Sequence, residues 1–328
     1  MGARLSSLWT QHHPPKPTFT ERDLPSLDGK VYIVSGSNTG VGKELARILY
    51  SKDAKVYIAA RSKTKADNAI QDIKDSEPAS KGELVFLHLD LADLTTIKAS
   101  AQRFLDAETK LHVLFNNAGV MAPEKIQRTP QGYELNLGIN NVGTFLFTKL
   151  LTPTLVSTAK VEHYNHVRVI WLASAAHEMF APTNFGITLD NLDYKKNVAG
   201  PQRYARSKSG AWALGVEFAN RHRADGVISI PLNPGNLTSE LFRDQNSVMK
   251  FVSGMVGYPP INGAYTELFA GLSPEVTLEK SGSWVVPFGR IYPIRQDLLS
   301  AMKSEAEGGN GSCKRFWEWC EEQVKPYL

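Results

Sequence analysis

The stretch RYARSKSG sets Tyr204 and Lys208 four residues apart, a spacing that places both side chains on one face of a helix. A phenol beside an ammonium can act as a proton donor. An unperturbed tyrosine titrates near about 10, and a neighbouring positive charge favours the phenolate and lowers that value. Such a pair could protonate an oxygen on which negative charge develops during hydride addition to a carbonyl. Ser174, in WLASAAH, carries a hydroxyl of the kind that can hydrogen-bond an oxygen bearing developing charge. Each residue alone is common, and a serine at a strand end often serves only backbone groups. The chemistry therefore depends on what else the chain carries.

A second stretch bears on that question. SGSNTGVG holds Gly36, Gly40 and Gly42 between the apolar run KVYIVSG and the helix-periodic VGKELARILYSK. A dinucleotide's pyrophosphate needs close backbone approach and free N–H donors at a helix N-terminus. Gly36, Ser37, Asn38, Thr39, Gly40, Val41 and Gly42 are therefore expected to bind one. The next apolar run, AKVYIAA, ends with no acid and continues into Arg61 and Lys63. A carboxylate there would hold ribose hydroxyls and repel a 2′-phosphate, whereas a guanidinium can clamp the phosphate. Arg61, with Ser37 and Lys63, is the expected cradle, and NADP(H) the expected cofactor.

These residues need a frame. Apolar runs at 30–36, 54–60, 83–89, 111–116, 166–173 and 226–232 alternate with helical segments, notably 94–107, 132–159 and 202–223. Continuous apolar strands between amphipathic helices predict an α/β, single-domain Rossmann fold: a doubly wound parallel sheet with helices on both faces. A further strand is expected at 283–288. The domain should span 28–290, with an N-terminal arm over 1–27 and a helical C-terminal tail over 291–328. That tail carries Phe316, Trp317 and Trp319 and is expected to pack on the domain, a lid or a dimer contact being the alternatives.

The glycine spacing resembles the T-G-x-x-x-G-[IL]-G motif of the short-chain dehydrogenase/reductase family, with Ser35 for Thr and Val41 for Ile or Leu. The resemblance extends in order along the chain. NNAG matches the family's tetrapeptide and brings Asn117, Ala118 and Gly119 to the cofactor; Asp90 and Leu91 in HLDLAD match its adenine-side segment. GINNVGTFLFT aligns Asn140, rather than its neighbour Asn141, with the family's catalytic asparagine. Ser174, Tyr204 and Lys208 take the catalytic serine, tyrosine and lysine positions. NPGNLTSEL matches the P-G loop and adds Pro234, Gly235, Leu237 and Ser239. The resemblance implies that Tyr204 donates the proton, Lys208 also holds the nicotinamide ribose, and Asn140 supports a water relay. The N-terminal arm, WVVPFGR and the tail are most similar to filamentous-fungal members, many of which act on secondary metabolites; other segments resemble retinol-dehydrogenase-like members.

The implied activity is NADP(H)-dependent interconversion of a ketone or aldehyde and an alcohol. Reduction or isomerisation of a C=C bond, or cofactor binding without turnover, remain as alternatives on the same scaffold. Between Ser174 and Tyr204 lie more residues than in compact members, forming an expected loop at the active site. His177, Met179, Phe180 and Phe185 from it, with Leu241, Phe242, Met249, Phe251, Met255 and Tyr258, are candidate pocket residues for a lipophilic or aromatic substrate. His177 is expected as a hydrogen-bonder within the loop.

Composition sets limits. The +4 net charge is spread without a basic block, which argues against a nucleic-acid partner. Cys313 and Cys320 lie seven residues apart without a Cys/His cluster, so neither a disulfide framework nor a metal site is expected. No apolar run approaches a membrane span, and the first residues lack a signal-peptide core. MGARLS matches an N-myristoylation pattern, but no polybasic stretch supplies a second anchor. A cytoplasmic location follows as the expectation. The resemblance further implies a homodimer or homotetramer paired through the long helices.

Overall fold

The computed structural model describes residues 2–238 and 257–328, with side chains from residue 7 onward. Eight strands form one sheet in the order β3-β2-β1-β4-β5-β6-β7-β8. They are β1 (Val31–Ser35), β2 (Lys55–Ala60), β3 (Glu83–His88), β4 (Val113–Asn116), β5 (Arg168–Leu172), β6 (Ile228–Leu232), β7 (Trp284–Val286) and β8 (Arg290–Tyr292). All pairings are parallel except β7 with β8. The order reverses between β1 and β4, whose register runs Tyr32 to Val113 and Val34 to Phe115. Ligands of doubly wound sheets bind outside the strand ends at such a reversal. The strand expected at 283–288 is β7; β8, three residues at an antiparallel edge, was not anticipated.

Helices cover both faces, as the continuous apolar strands require. In chain order they include α1 (Gly2–His12), α2 (Gly40–Tyr50), α3 (Lys63–Ser76), α4 (Leu94–Ala107), the single turn α5 (Leu135–Leu137), α6 (Thr144–Ala159), α7 (Ala175–Phe180), α8 (Gly200–His222), α9 (Pro260–Leu272) and α10 (Ser312–Val324). Alternate strand residues feed two cores. Ile33, Leu114 and Val169 pack towards α4, α6, α8 and α10, while Val34, Phe115 and Ile170 pack towards α2 and α9. The helix expected over 132–159 is broken into α5, a π-helical turn at Gly138–Gly143, and α6.

The aromatic C-terminal segment lies across α6 and α8. The Trp317 ring stands edge-on to Phe145 at 4.7 Å and tilted to Phe218 at 6.1 Å. Lys149 pairs with Glu321 at 2.6 Å, and the Tyr133 hydroxyl donates to Gln323 at 2.9 Å. Phe316, Trp317, Cys313 and Cys320 are all buried. Among the described residues, no helix is long and apolar enough to cross a membrane.

Candidate active site

A cleft of about 680 Å³ opens at the C-terminal ends of β1, β2, β4, β5 and β6. One end is built by the glycine turn. Gly36 has φ +69°, and a Cβ there would stand 2.9 Å from the Ala118 Cα, so both conformation and contact demand glycine. A Cβ on Gly42 would lie 2.4 Å from Asn117 Nδ2, the atom that donates to Ser35 O at 2.7 Å. Ser35 Oγ donates to Phe115 O at 3.2 Å and accepts from Ala118 N at 3.0 Å. The serine in place of threonine thus ties the glycine turn to the end of β4. Thr39 precedes α2 with no side-chain cap hydrogen bond, leaving the first N–H groups of the helix available to an anion.

Asn38, Thr39, Gly40, Val41, Arg61, Asp90, Leu91, Asn117, Ala118, Gly119, Pro234, Gly235 and Leu237 all line this cleft with Gly36 and Gly42. The residues fit a dinucleotide: an uncapped helix start, glycines where side chains would intrude, and a long groove. Arg61 is exposed at the end of β2, with no ion-pair partner among the described residues. Two expected cradle residues are placed elsewhere. Ser37 is fully buried and turns its hydroxyl back to Val34 O at 2.7 Å. Lys63 begins α3 and pairs with Asp67 at 2.7 Å, four residues along the same helix. Ser62 and Lys65 line the cleft instead; helix direction, not proximity in sequence, decides which basic residue faces it. Ser239 lies outside the described residues.

The other end holds the catalytic candidates. Ser174 caps α7, accepting from Ala176 N at 3.2 Å, and its hydroxyl lies close enough to Tyr204 to favour the phenolate. Tyr204 and Lys208 project from α8; Ser174, Tyr204 and Lys208 all line the cleft. Lys208 Nζ donates to Leu172 O at 2.8 Å and lies 5.7 Å from the Tyr204 ring centroid. Burial pushes the Tyr204 hydroxyl up to about 12, with the Ser174 hydroxyl pulling the other way. The lowering expected from a neighbouring ammonium is therefore overturned: Lys208 faces the ring, and desolvation dominates. Burial lowers Lys208 to about 8, opposed by Glu267. Glu267, fully buried on α9, is itself raised by burial, and its oxygens have no hydrogen-bond partner among the described residues.

Asn140 sits in the π-helical turn, behind the cleft wall. Its Nδ2 donates to Val120 O at 3.0 Å and Ser207 Oγ at 2.9 Å, while Oδ1 accepts from Val120 N at 2.9 Å. The carboxamide is thus committed to protein groups. It still lies near the catalytic set: a Cβ on Gly119 would meet both Lys208 Nζ at 3.2 Å and Asn140 Oδ1 at 3.3 Å. Asn141 does a different job, donating to Ser207 O at 2.8 Å and fixing the backbone of α8.

Among the substrate-side candidates, Met179 and Phe180 line the cleft. His177 does not. It is fully buried, stacked on Trp212 at 4.5 Å, with Nδ1 3.0 Å from Ser209 Oγ. Burial lowers it to about 3, so it is a neutral core residue on the inward face of α7. Phe185 is half exposed outside the cleft, and Tyr258 packs edge-on against Phe288 at 5.1 Å. Leu241, Phe242, Met249, Phe251 and Met255 lie outside the described residues. Sequence reasoning also missed Gln11 and His12, at the end of α1, which line the cleft. A further omission is Arg203, buried beside Tyr204, whose guanidinium donates to Pro123 O at 3.1 Å and Glu124 O at 2.6 Å. No local pattern marks any of them.

Comparison with known proteins follows the same lines. Residues 30–183 match the family described as short chain dehydrogenase. The chain is 53% identical over 333 residues to a short-chain dehydrogenase/reductase of Phomopsis amygdali, covering 99% of this chain and 98% of that one. It is 49% identical to the short-chain dehydrogenase/reductase bet4 of Neocamarosporium betae, covering 99% and 94%. The fold is similar to that of 3-ketoacyl-(acyl-carrier-protein) reductase from Brucella melitensis complexed with NADH, with TM-score 0.61, 20% identity and coverage of 81% and 99%. It is also similar to the Pseudomonas aeruginosa RhlG/NADP active-site complex, with TM-score 0.60, 20% identity and coverage of 79% and 95%. These solved structures speak to fold alone; the fungal relatives, matched over nearly their whole length, do more. The chain belongs to the short-chain dehydrogenase/reductase family, in its fungal form, and so to a family of NAD(P)(H)-using oxidoreductases.

Proposed function

We propose that the protein is an NADP(H)-dependent carbonyl reductase or alcohol dehydrogenase acting on a lipophilic or aromatic ketone, aldehyde or alcohol. The observation that carries this reading is the convergence of Ser174, Tyr204 and Lys208 at the end of the cleft that begins at the uncapped N-terminus of α2. When bound, the nicotinamide supplies or accepts the hydride. Ser174 orients the substrate oxygen and stabilises its developing charge. Tyr204 delivers the proton; a hydroxyl held near 12 keeps that proton at neutral pH until a more basic alkoxide forms. Lys208, still mostly charged at neutral pH, steadies the anion left on Tyr204.

Gly36 to Gly42, Asp90 to Leu91, Asn117 to Gly119 and Pro234 to Leu237 would hold the dinucleotide. Arg61 supports the preference for a 2′-phosphate, with Lys65 on the same wall and no acid at the end of β2. Reduction is the proposed direction, a secondary metabolite the proposed kind of substrate, and the cytoplasm the proposed location. Met179 and Phe180 favour an apolar or aromatic body on the substrate.

Thermal unfolding with NADPH and, separately, NADH tests the cofactor assignment. A ligand at a hundred times its Kd stabilises by about 2.7 kcal/mol. Stabilisation by NADPH alone, lost in Arg61→Ala, is expected. Equal responses to both cofactors would remove the NADP preference, and no response to either would remove the catalytic reading.

A further inference from the structure

The N-terminal helix reaches the active site, and one of its side chains spans two segments far away in sequence. Gln11 is 2% exposed. Its Nε2 donates to Glu178 Oε2 and to Ser7 Oγ at 3.2 Å. Its Oε1 accepts from Asn233 Nδ2 at 2.9 Å. Glu178 stands one turn beyond Ser174 on α7, and Asn233 opens the loop that carries Pro234 and Gly235. Asn233 is itself fixed, its N–H to Val285 O at 2.9 Å and its Oδ1 accepting from Gly235 N at 3.1 Å.

A carboxamide offers donors at one end and an acceptor at the other, which is what a bridge between a carboxylate and an amide NH₂ requires. Leucine at position 11 would leave buried polar groups without this partner, and glutamate would oppose two carboxylates. The helix is held from its other side by Arg290, whose guanidinium donates to Thr10 Oγ1 at 3.0 Å and Thr10 O at 2.9 Å. Gln11 and His12 then line the same cleft as Ser174, Tyr204, Met179 and Phe180.

We propose that α1 forms an outer wall of the substrate end of the cleft, and that Gln11 is a positioning residue that clamps α7, and with it Ser174, to the 233–237 loop. The catalytic use of this clamp rests on the function proposed above; the clamp itself does not. It explains why a helix preceding the first strand is joined to the site by buried polar bonds rather than by apolar packing alone.

Amide hydrogen exchange on the full-length protein with NADPH present decides it, comparing wild type, Gln11→Leu, Gln11→Glu and the swapped pair Gln11→Glu/Glu178→Gln. In both single variants, amides of 176–180 and 235–238 should exchange about tenfold faster while those of β1, β4 and β5 keep wild-type protection. The swapped pair should return both segments to wild-type exchange, because the carboxamide then sits on the other side of the same bond. With a ketone that the wild type reduces, kcat should fall about tenfold in the single variants, with the NADPH KM unchanged, and recover in the swap. Unchanged exchange in both segments, or a swap that fails to restore it, would overturn the clamp. Should Gln11→Leu not fold, the Gln11→Glu and swap comparison decides alone. Absence of turnover in the wild type would count against the proposed function and leave the exchange result to judge the clamp.

Discussion

Lys208 stands over the ring of Tyr204, 5.7 Å from its centroid, while its hydrogen bond goes to Leu172 O at 2.8 Å. The lysine is thus anchored to the end of β5, beside the tyrosine rather than on its hydroxyl. Both groups are buried, and burial moves them apart in the directions that suit an acid and its support: Tyr204 up to about 12, Lys208 down to about 8.

A pH dependence follows. The unfolded chain keeps the Lys208 proton up to an ordinary value of 10.5, and the folded protein releases it near 8. Between those values the unfolded state binds more protons, so this group's contribution to stability rises with pH there. Below pH 8 the buried ammonium costs about 3 kcal/mol in full. Losing the bond to Leu172 O costs about 1 kcal/mol. Lys208→Met is therefore expected to gain about 2 kcal/mol of stability at pH 7, by denaturant unfolding, with no gain above pH 10.5. Its turnover should be abolished, and wild-type kcat/KM for reduction should decline above about pH 8.

The glycine turn makes a separate prediction. Gly36→Ala forces a Cβ to within 2.9 Å of the Ala118 Cα at φ +69°, which should cost about 1–3 kcal/mol of stability. Gly42→Ala displaces the Asn117 carboxamide from Ser35 O. Both variants should remain folded by circular dichroism and lose the stabilisation conferred by NADPH.

Arg203 and Glu134 form a buried pair, Nε to Oε1 3.4 Å, with exposures of 1% and 0%. The same guanidinium holds the carbonyls of Pro123 and Glu124 beside the cleft and anchors the start of α8. Arg203→Met leaves Glu134 buried without its cation and should lose about 3–5 kcal/mol in urea unfolding. Glu134→Gln retains hydrogen-bonding capacity and should lose about 1 kcal/mol.

The C-terminal helix bears on assembly. Trp317 fills the groove between α6 and α8, the long-helix surface through which pairing was expected. Association through that surface would have to displace α10, so we expect a single chain in sedimentation velocity. Trp317→Ala should cost about 3–5 kcal/mol and open the groove, giving concentration-dependent association. A wild-type dimer that survives this substitution would contradict the idea.

Particular residues show what could be read from the chain. The central strands were legible because, buried on both faces, they are continuous apolar runs between glycine turns and amphipathic helices. The cleft was legible where chemistry restricts residue type: Gly36 and Gly42 by close contact, and Ser174, Tyr204 and Lys208 by order along the chain. Side-chain direction was not. His177, Phe185 and Tyr258 have the composition of pocket residues, yet only packing distinguishes the inward face of α7, which buries His177, from the outward face, which presents Met179 and Phe180. Lys63 and Lys65 differ by two positions, and the rotation of α3 decides which meets the cleft. Gln11 reaches Glu178 and Asn233 across most of the chain, a relationship no local pattern encodes. The direction of the Tyr204 shift depends on desolvation, which spacing does not report.

Tyr204→Phe tests the central claim most directly. NADPH consumption with a panel of aryl and alkyl ketones should be compared for wild type and variant, with NADPH-induced stabilisation measured on both. We predict unchanged stabilisation and a rate reduced by about 10²–10⁴-fold. Equal rates in the two proteins would contradict the assignment of Tyr204 as the proton donor, and with it the proposed chemistry.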